Sequence, residues 1–523
     1  MEDLVIVQEK EAEANKTVVK KEDIYLLVCS VLLGVLFNIL FYKKPLGISY
    51  PLFVSAFYIV FLGNLRHKVK FKFEVGCFLS IPIIALSSTY FIFSNQIFAV
   101  LNFLIIPILI IAQTILINEE NKHKWFEARF IKDIFQGIIN RALGNTAKPF
   151  VVVLNSMRIS KSHEKQDVIK KVLIGLAISI PLLIIIITLL TSADRVFKHF
   201  IDEITSSFGT INMTDFSLQS LLAFLISILV FSYTWSFLRP NDRMKTQMQQ
   251  GDTATIKNSW DPVISITILS LINCVYLSFT LIQFGYMFDS LNNALPADFT
   301  YAQYARRGFF ELLMVTLINF SLLLSSLRFT RKDGKLVART VRILHSLLVL
   351  CTMVILTSAF FRMSLYEAAF GYTYLRVLTH SFMMFLFVLF AVAFYKIWNE
   401  RISLLKPYIV ITIIAYMILN FANIDVLIAK NNIARYFETG RLDTYYLRNL
   451  SYDSIPGIVN LVERMANDER MSNDDGMTDD ERMSIDIKDY LEQQQERLSQ
   501  KQPWQSLNLS QLRAKKVLSQ YEF

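Results

Sequence analysis

The chain has 523 residues, 53% of them hydrophobic and 19% charged, with a mean hydropathy of +0.40 and a formal net charge of +9. Those proportions exclude an ordinary soluble domain and a disordered chain, and they point to a polytopic helical membrane protein, all-α in fold class. The four cysteines lie in or beside different apolar blocks without a CxxC pair, and the six histidines form no HExxH and no i,i+4 pair, so the sequence implies no metal site and no cofactor.

Residues 1–23 carry mixed charge ahead of a long apolar run with no small-residue cleavage pattern after it, which reads as a cytoplasmic segment before a retained span. A helix needs roughly 20 apolar residues to cross about 30 Å of hydrocarbon. Eleven blocks approach that length: 24–42, 51–65, 75–93, 97–117, 172–190, 217–238, 263–288, 309–327, 343–361, 377–395 and 407–428. The second is short and is expected to extend back through "LGISYP". The chain therefore divides into four spans (24–117), a basic loop (118–171), seven further spans (172–428) and a polar tail (429–523). Pro82, Pro107 and Pro181 interrupt the third, fourth and fifth spans. Broken helices can mark a transport path, but no internal repeat pairs these segments across two halves.

Within the loop, "KWFEARFIKDIFQGIINRAL" (124–143) repeats Phe126, Phe130, Ile134, Ile138 and Ala142 every four residues among Lys124, Arg129, Lys132 and Arg141. That pattern suits a helix lying in the membrane interface, and equally a helix packed on the ends of the spans.

Lys and Arg alternate along the connections. The set 1–23, 66–74, 118–171, 239–260, 328–342 and 396–406 holds 32, and the intervening set holds 8. This bias sets a cytoplasmic N-terminus and, with an odd number of spans, an extracytoplasmic C-terminus, in a multi-pass protein of the inner (plasma) membrane. The basic balance reflects loops facing anionic lipid, and nucleic acid is not needed to explain it.

The outer connections are poor in basic residues, so those present draw notice. Asp194 and Arg195 follow the fifth span. Tyr304, Arg306, Arg307 and Glu311 precede or enter the eighth. Arg362, Tyr366, Glu367, Tyr372 and Arg376 follow the ninth. Asn431 and Arg435 follow the eleventh, in "NFANIDVLIAKNNIARY". Helical phase puts Tyr304, Arg307 and Glu311 on one interior-facing stripe with Arg306 opposite, and it pairs Arg362 with Tyr366, Arg376 with His380, and Asn431 with Arg435. Asp194, Arg195, Tyr304, Arg307, Glu311, Arg362, Tyr366, Glu367, Tyr372, Arg376, Asn431 and Arg435 thus form an expected outward cluster. It suits an anionic headgroup or envelope ligand gripped by arginine forks and tyrosine hydroxyls, or else a set of pairs that staples helix ends.

In the tail, Gly440 ends one helix, and a further pair of helices breaks near Ser451–Pro456, with Pro456 in a first turn. Residues 466–486 read as an acidic solvated linker, and "PWQSLNLSQLRAKKVL" as a short capped helix anchored by Trp504.

The segments "YAQYARRGFFELLMV", "LLTSADRVF", "LYEAAFGYTYLRV", "NIARYFETGRLDTYYLRNLSYDSIPGIV" and "WQSLNLSQLRA" resemble the bacterial membrane proteins of domain-of-unknown-function family 4173, from about residue 170 to the C-terminus. Asp453-Ser454-Ile455-Pro456 stands where that family has an aspartate–alanine–valine–proline run. The resemblance implies no activity and no catalytic residue.

Three functions fit this layout: a non-catalytic envelope sensor or scaffold that meets a protein partner through 429–523, a transporter of a small anionic solute, or an outer-leaflet transferase. The transferase fits least, because the first outer loop, "KKPLGISY", has neither carboxylate nor histidine for acid–base work. Most polar residues lie at the outer ends of spans and not in their middles, which also disfavours transport.

Overall fold

Long apolar blocks must satisfy their backbone groups internally, and the helix is the local solution. The structure, a computed structural model, describes residues 20–66, 74–156, 213–239, 260–289, 309–331, 334–466 and 479–521, with 186, 190 and 194. Among these residues the fold is all-α; the single β-type pairing is a bridge between Trp260 and Thr330.

Helices α1 (Lys21–Phe41), α2 (Ser49–Leu65), α3 (Val75–Ile92) and α4 (Gln96–Ile117) come first. α5 (Phe130–Gln136) runs into a π-helical turn, Gly137–Leu143, and α6 (Lys148–Ser156) follows. Then come α7 (Met213–Leu238), α8 (Pro262–Asp289), α9 (Phe309–Phe329), α10 (Lys335–Phe370), α11 (Tyr374–Trp398) and α12 (Leu405–Phe421). The tail holds α13 (Ile424–Thr439), α14 (Thr444–Arg448), α15 (Ile455–Ala466), α16 (Asp479–Ser499) and α17 (Leu509–Gln520).

Among the described residues eight helices are long and apolar enough to cross a bilayer: α1, α3, α4 and α7 to α11. The second expected span is α2, which starts at Ser49 and has only 17 residues. The eleventh is not one rod: α12 and α13 meet at a 57° bend. Asn423 makes that turn in the left-handed region, φ 45°, where Asn is tolerated, and its side chain caps α13. The fifth expected span, 172–190, and Pro181 with it, lie outside the described residues apart from 186 and 190.

The contacts sort the helix ends onto two faces. On one face, Asp23 at the start of α1 pairs with Arg239 just past α7, Lys406 lies over the Phe126 ring, and Trp260 meets Thr330. The described ends of the basic connections gather there. On the opposite face lie the turns after α1, α3, α10 and α12, together with the tail. α4 and α7 both run toward the basic face, since Ile117 abuts Gly76 and Arg239 meets Asp23.

Two groups of helices build the bundle. α1 to α4 and α7 share one apolar core with α12 against it, and α8 to α11 share two smaller ones. The closest crossing joins α1 to α7. A Cβ added to Gly34 would stand 2.1 Å from Ser227 Oγ and 2.2 Å from the Ala223 carbonyl. Small residues let backbones approach in this way where lipid leaves little hydrophobic drive between helices.

The 124–143 segment packs on the bundle: Phe130, Ile134 and Ala142 join the core of the first group. Arg141 is buried there, paired with Glu120 and set over the Phe237 ring at 4.4 Å. A second stripe that the four-residue pattern overlooked, Ile131, Phe135, Ile139 and Leu143, faces outward.

The core of the tail, built on α13 to α17, also takes in Phe98 of α4, with Val377 of α11 and Leu419 of α12 packed against it. Gly440 ends α13 at φ 68°, and Pro456 sits in the first turn of α15, as expected. The acidic linker is shorter than expected, because α16 already starts at Asp479. Trp504 is no anchor: it is exposed, and its neighbours Gln505, Ser506 and Asn508 are buried instead.

Candidate functional site

The expected outward cluster divides when placed in the structure. Arg195, Tyr304, Arg306 and Arg307 lie outside the described residues. Asp194 is exposed. Glu311, expected on an interior stripe, is exposed in the first turn of α9.

The remaining members meet at the C-terminus of α10, where the last carbonyls of any helix lack intrahelical donors. Arg435 reaches over from α13, donating from Nε to the Ala368 carbonyl at 2.9 Å and from Nη2 to that of Ala369 at 2.6 Å. Arg376 donates to the Phe370 carbonyl at 3.1 Å and to that of Gly371. Both cations face the negative end of the helix dipole. Gly371 has φ 83°, and a Cβ there would lie 2.8 Å from Asn432 Oδ1. The Tyr372 backbone exchanges two hydrogen bonds with Asn432, so Asn432 is the working residue and not Asn431.

Further pairs form across the turn. Tyr366 lies under the Arg376 guanidinium at 4.3 Å, and Arg362 is half-buried on the same face of α10. Buried Glu367 meets His380 Nδ1 at 2.8 Å, and His380 Nε2 lies 3.2 Å from the Phe360 carbonyl. The other carboxyl oxygen, Oε1, is buried with no donor among the described residues. Arg435 and Arg376 cap α10, with Nε and Nη2 of Arg435 and Nη1 of Arg376 donating to its last carbonyls.

A second network, centred on two carboxylates, joins bundle to tail. Asp425, 1% exposed in the first turn of α13, accepts hydrogen bonds from Asn95 Nδ2 at 2.7 Å, from the Tyr374 hydroxyl, and from the Ser451 backbone at 3.3 Å. Asp453 accepts four: from the Ser94 backbone at 2.8 Å, the Ser94 hydroxyl at 2.9 Å, Ser451 Oγ at 3.2 Å and Asn423 Nδ2 at 3.2 Å. Neither forms an ion pair among the described residues. Tyr374 N donates to the Tyr446 hydroxyl at 2.7 Å, and burial raises the Tyr446 phenol pKa. Behind this layer, Asn102 donates to Asn420 Oδ1 at 2.7 Å and accepts from the Tyr416 hydroxyl at 2.6 Å.

Helix polarity favours buried Asp425 and half-buried Asp453 here, where neither has an ion pair among the described residues. The N-termini of α4 (Asn95 cap), α11, α13 (Asn423 cap), α15 and α17 (Asn508 cap) converge on this point. Their unpaired N–H groups and positive dipole ends favour negative charge. Asn508 also donates to the Tyr90 and Phe93 carbonyls at 2.9 and 2.7 Å, Ile48 N donates to the Leu507 carbonyl at 3.0 Å, and Gln505 reaches the Ile39 carbonyl at 3.1 Å. The tail is thus seated on three turns of the bundle.

Sequence reasoning quoted Asn420, Asn423 and Asp425 but did not assemble them with Ser94, Asn95, Tyr374, Ser451 and Asp453. The available signal was the polar residue just ahead of each helix in "FSNQIF", "FANID", "SYDSIP" and "NLSQL", the pattern of an N-cap.

Beside Asp453 a groove of about 480 Å³ opens between α13, α15 and α17. Lys430, Arg464 and Arg513 line it, one from each helix, together with Val426, Ile433 and Pro456. No group of three or more His, Cys, Asp or Glu that could hold a metal occurs among the described residues.

Residues 80–461 match the model of the family described as Domain of unknown function (DUF4153), and the chain belongs to that family. The match takes in the third and fourth spans and stops within α15; it does not give family 4173, which the quoted segments resemble. No curated protein and no solved structure matches the chain.

Proposed function

With membership of that family as the premise, we propose that the protein is a non-catalytic envelope sensor or scaffold whose helical tail is a receiving module docked on the outer end of its membrane bundle. The observation that carries this is the carboxylate seam, in which Asp425 and Asp453 tie the tail to turns of α3–α4, α10–α11 and α12–α13 through neutral donors. A bend sits at the same place, so a change in the tail bears directly on the break between α12 and α13. The tail lies opposite the basic connections, which by the distribution of Lys and Arg makes its face extracytoplasmic and the N-terminus cytoplasmic.

Transport is the second reading, favoured by the broken α12–α13 helix and by the polar step from Asp425 to Asn420 and Asn102. The decisive test uses purified full-length protein in liposomes. A scaffold gives no solute flux, and amide protection in α13 to α15 falls when Asp425 is replaced by Asn. Uptake of an anionic solute that Asp425→Asn abolishes would replace the scaffold with a transporter. A reporter active only outside the cytoplasm, fused after Phe523 and separately within 328–342, checks the orientation: activity at the first site alone is expected, and activity in the loop would invert the assignment.

A further inference from the structure

The groove between α13, α15 and α17 combines features that neither the seam nor the tail core explains. Lys430, Arg464 and Arg513 converge on it from three helices, and none forms an ion pair among the described residues. The one carboxylate in the lining, Asp453, is already met by four donors from Ser94, Ser451 and Asn423. Arg464 is held in place by the Phe437 ring, 3.8 Å from its guanidinium carbon. The cavity, about 480 Å³, is of the size that takes a small ligand or a headgroup.

Its position narrows the ligand. The lining begins at Asn423 and Val426, in the first turn after α12 leaves the apolar zone. α12 exposes Ile414, Ile418 and Phe421 on one stripe that ends at that turn, and Val426 is itself 39% exposed. An amphiphile at this level has apolar surface below and three cations above.

We propose that this groove binds the anionic phosphate headgroup of a membrane lipid in the leaflet facing the tail, with Lys430, Arg464 and Arg513 as the phosphate-binding side chains and Tyr452 and Asn460 as polar neighbours in the lining. This rests on the reading of the tail as a module docked on the bundle. Arginine presents a planar fork to phosphate and lysine a point charge, so the set can meet several oxygens of one headgroup. The lipid becomes a strut between tail and bundle, and the tail's seating then depends on what the leaflet contains.

The test is calorimetric titration of the full-length protein in an uncharged detergent with three probes: short-chain phosphatidylglycerol below its micelle-forming concentration, short-chain phosphatidylcholine, and inorganic phosphate. Saturable binding of phosphatidylglycerol at least about tenfold tighter than either other probe is expected, with a loss of about tenfold or more in K430Q/R464Q/R513Q. Equal binding of phosphatidylcholine would overturn the proposal, as would a triple variant that binds as the parent does. Inorganic phosphate binding as tightly as the anionic lipid would overturn the lipid assignment and leave a site for a free anion. Cross-linking between positions 48 and 507 keeps the two levels apart. If the cross-link forms and the lipid does not bind, only the groove proposal fails; if the cross-link fails in otherwise unaltered protein, the docked tail fails with it.

Discussion

Arg376 and Arg435 gather at a helix C-terminus, whereas Asp425 and Asp453 gather where five helix N-termini meet, and each arrangement anchors α13 to the bundle by a different helix end. The arginines finish α10 by supplying donors to the carbonyls of Ala368, Ala369, Phe370 and Gly371. Each aspartate takes a donor from a residue hundreds of positions away: Ser94 and Asp453 are 359 apart, Asn95 and Asp425 330. Each charge sits at the dipole end that suits it. The lesson is that charge near a membrane face need not announce a ligand, because backbone polarity can neutralise it first. The three cations of the groove, which form no ion pair among the described residues, are the better pointer.

The comparison can be broken at the seam first. Asp425→Ala leaves Asn95, Tyr374 and Ser451 without their shared acceptor, and the expected loss is about 3 kcal/mol of tail docking at roughly 1 per hydrogen bond. Limited proteolysis between α12 and α15 reads it; unchanged protection would remove the seam as the lock. Arg435→Ala should act locally, lowering stability by about 2 kcal/mol as two carbonyls lose a charged donor, with the tail still seated. Arg435→Lys should restore only part of that, since a single ammonium cannot span both carbonyls as the fork does.

A third measurement separates the tail's own stability from its docking. Burial pushes the Tyr490 phenol up from 10.0 to about 12. A raised folded-state pKa contributes fully below the unfolded value and is lost as pH rises through the folded one, so the tail core should weaken by roughly 1–2 kcal/mol across that alkaline window. Circular dichroism of the full chain against Tyr490→Phe checks it, and a variant that melts on the same alkaline profile would refute it. The smallest effect is expected at Glu311, exposed on α9, where Glu311→Gln should shift stability by under roughly 0.5 kcal/mol.

Much of the bundle was legible because membrane helices are written in long apolar blocks whose backbone has one solution. The blocks at 24–42, 97–117, 217–238 and 377–395 match α1, α4, α7 and α11 closely. The break within 407–428 was not legible from hydropathy, since Asn423 interrupts the helix by its backbone turn and not by any loss of apolar character on either side. Segments bearing Arg376, Arg435 and Asp453 could be singled out, but their partners could not. Helical phase finds neighbours one turn away, and here it pointed Arg376 at His380 while the structure turns it to the end of α10. The seam is built from single polar residues in five separate turns, and only the fold brings them to one place.

The docked tail is the central claim, and one measurement meets it directly. Ile48 N donates to the Leu507 carbonyl at 3.0 Å, so the two backbones are in direct contact and a cross-link between these positions reports the docking. With the four native cysteines replaced, Ile48→Cys and Leu507→Cys should cross-link readily in membranes, and Asp425→Ala with Asp453→Ala should abolish the cross-link. A folded, membrane-inserted protein in which positions 48 and 507 never join would contradict the account.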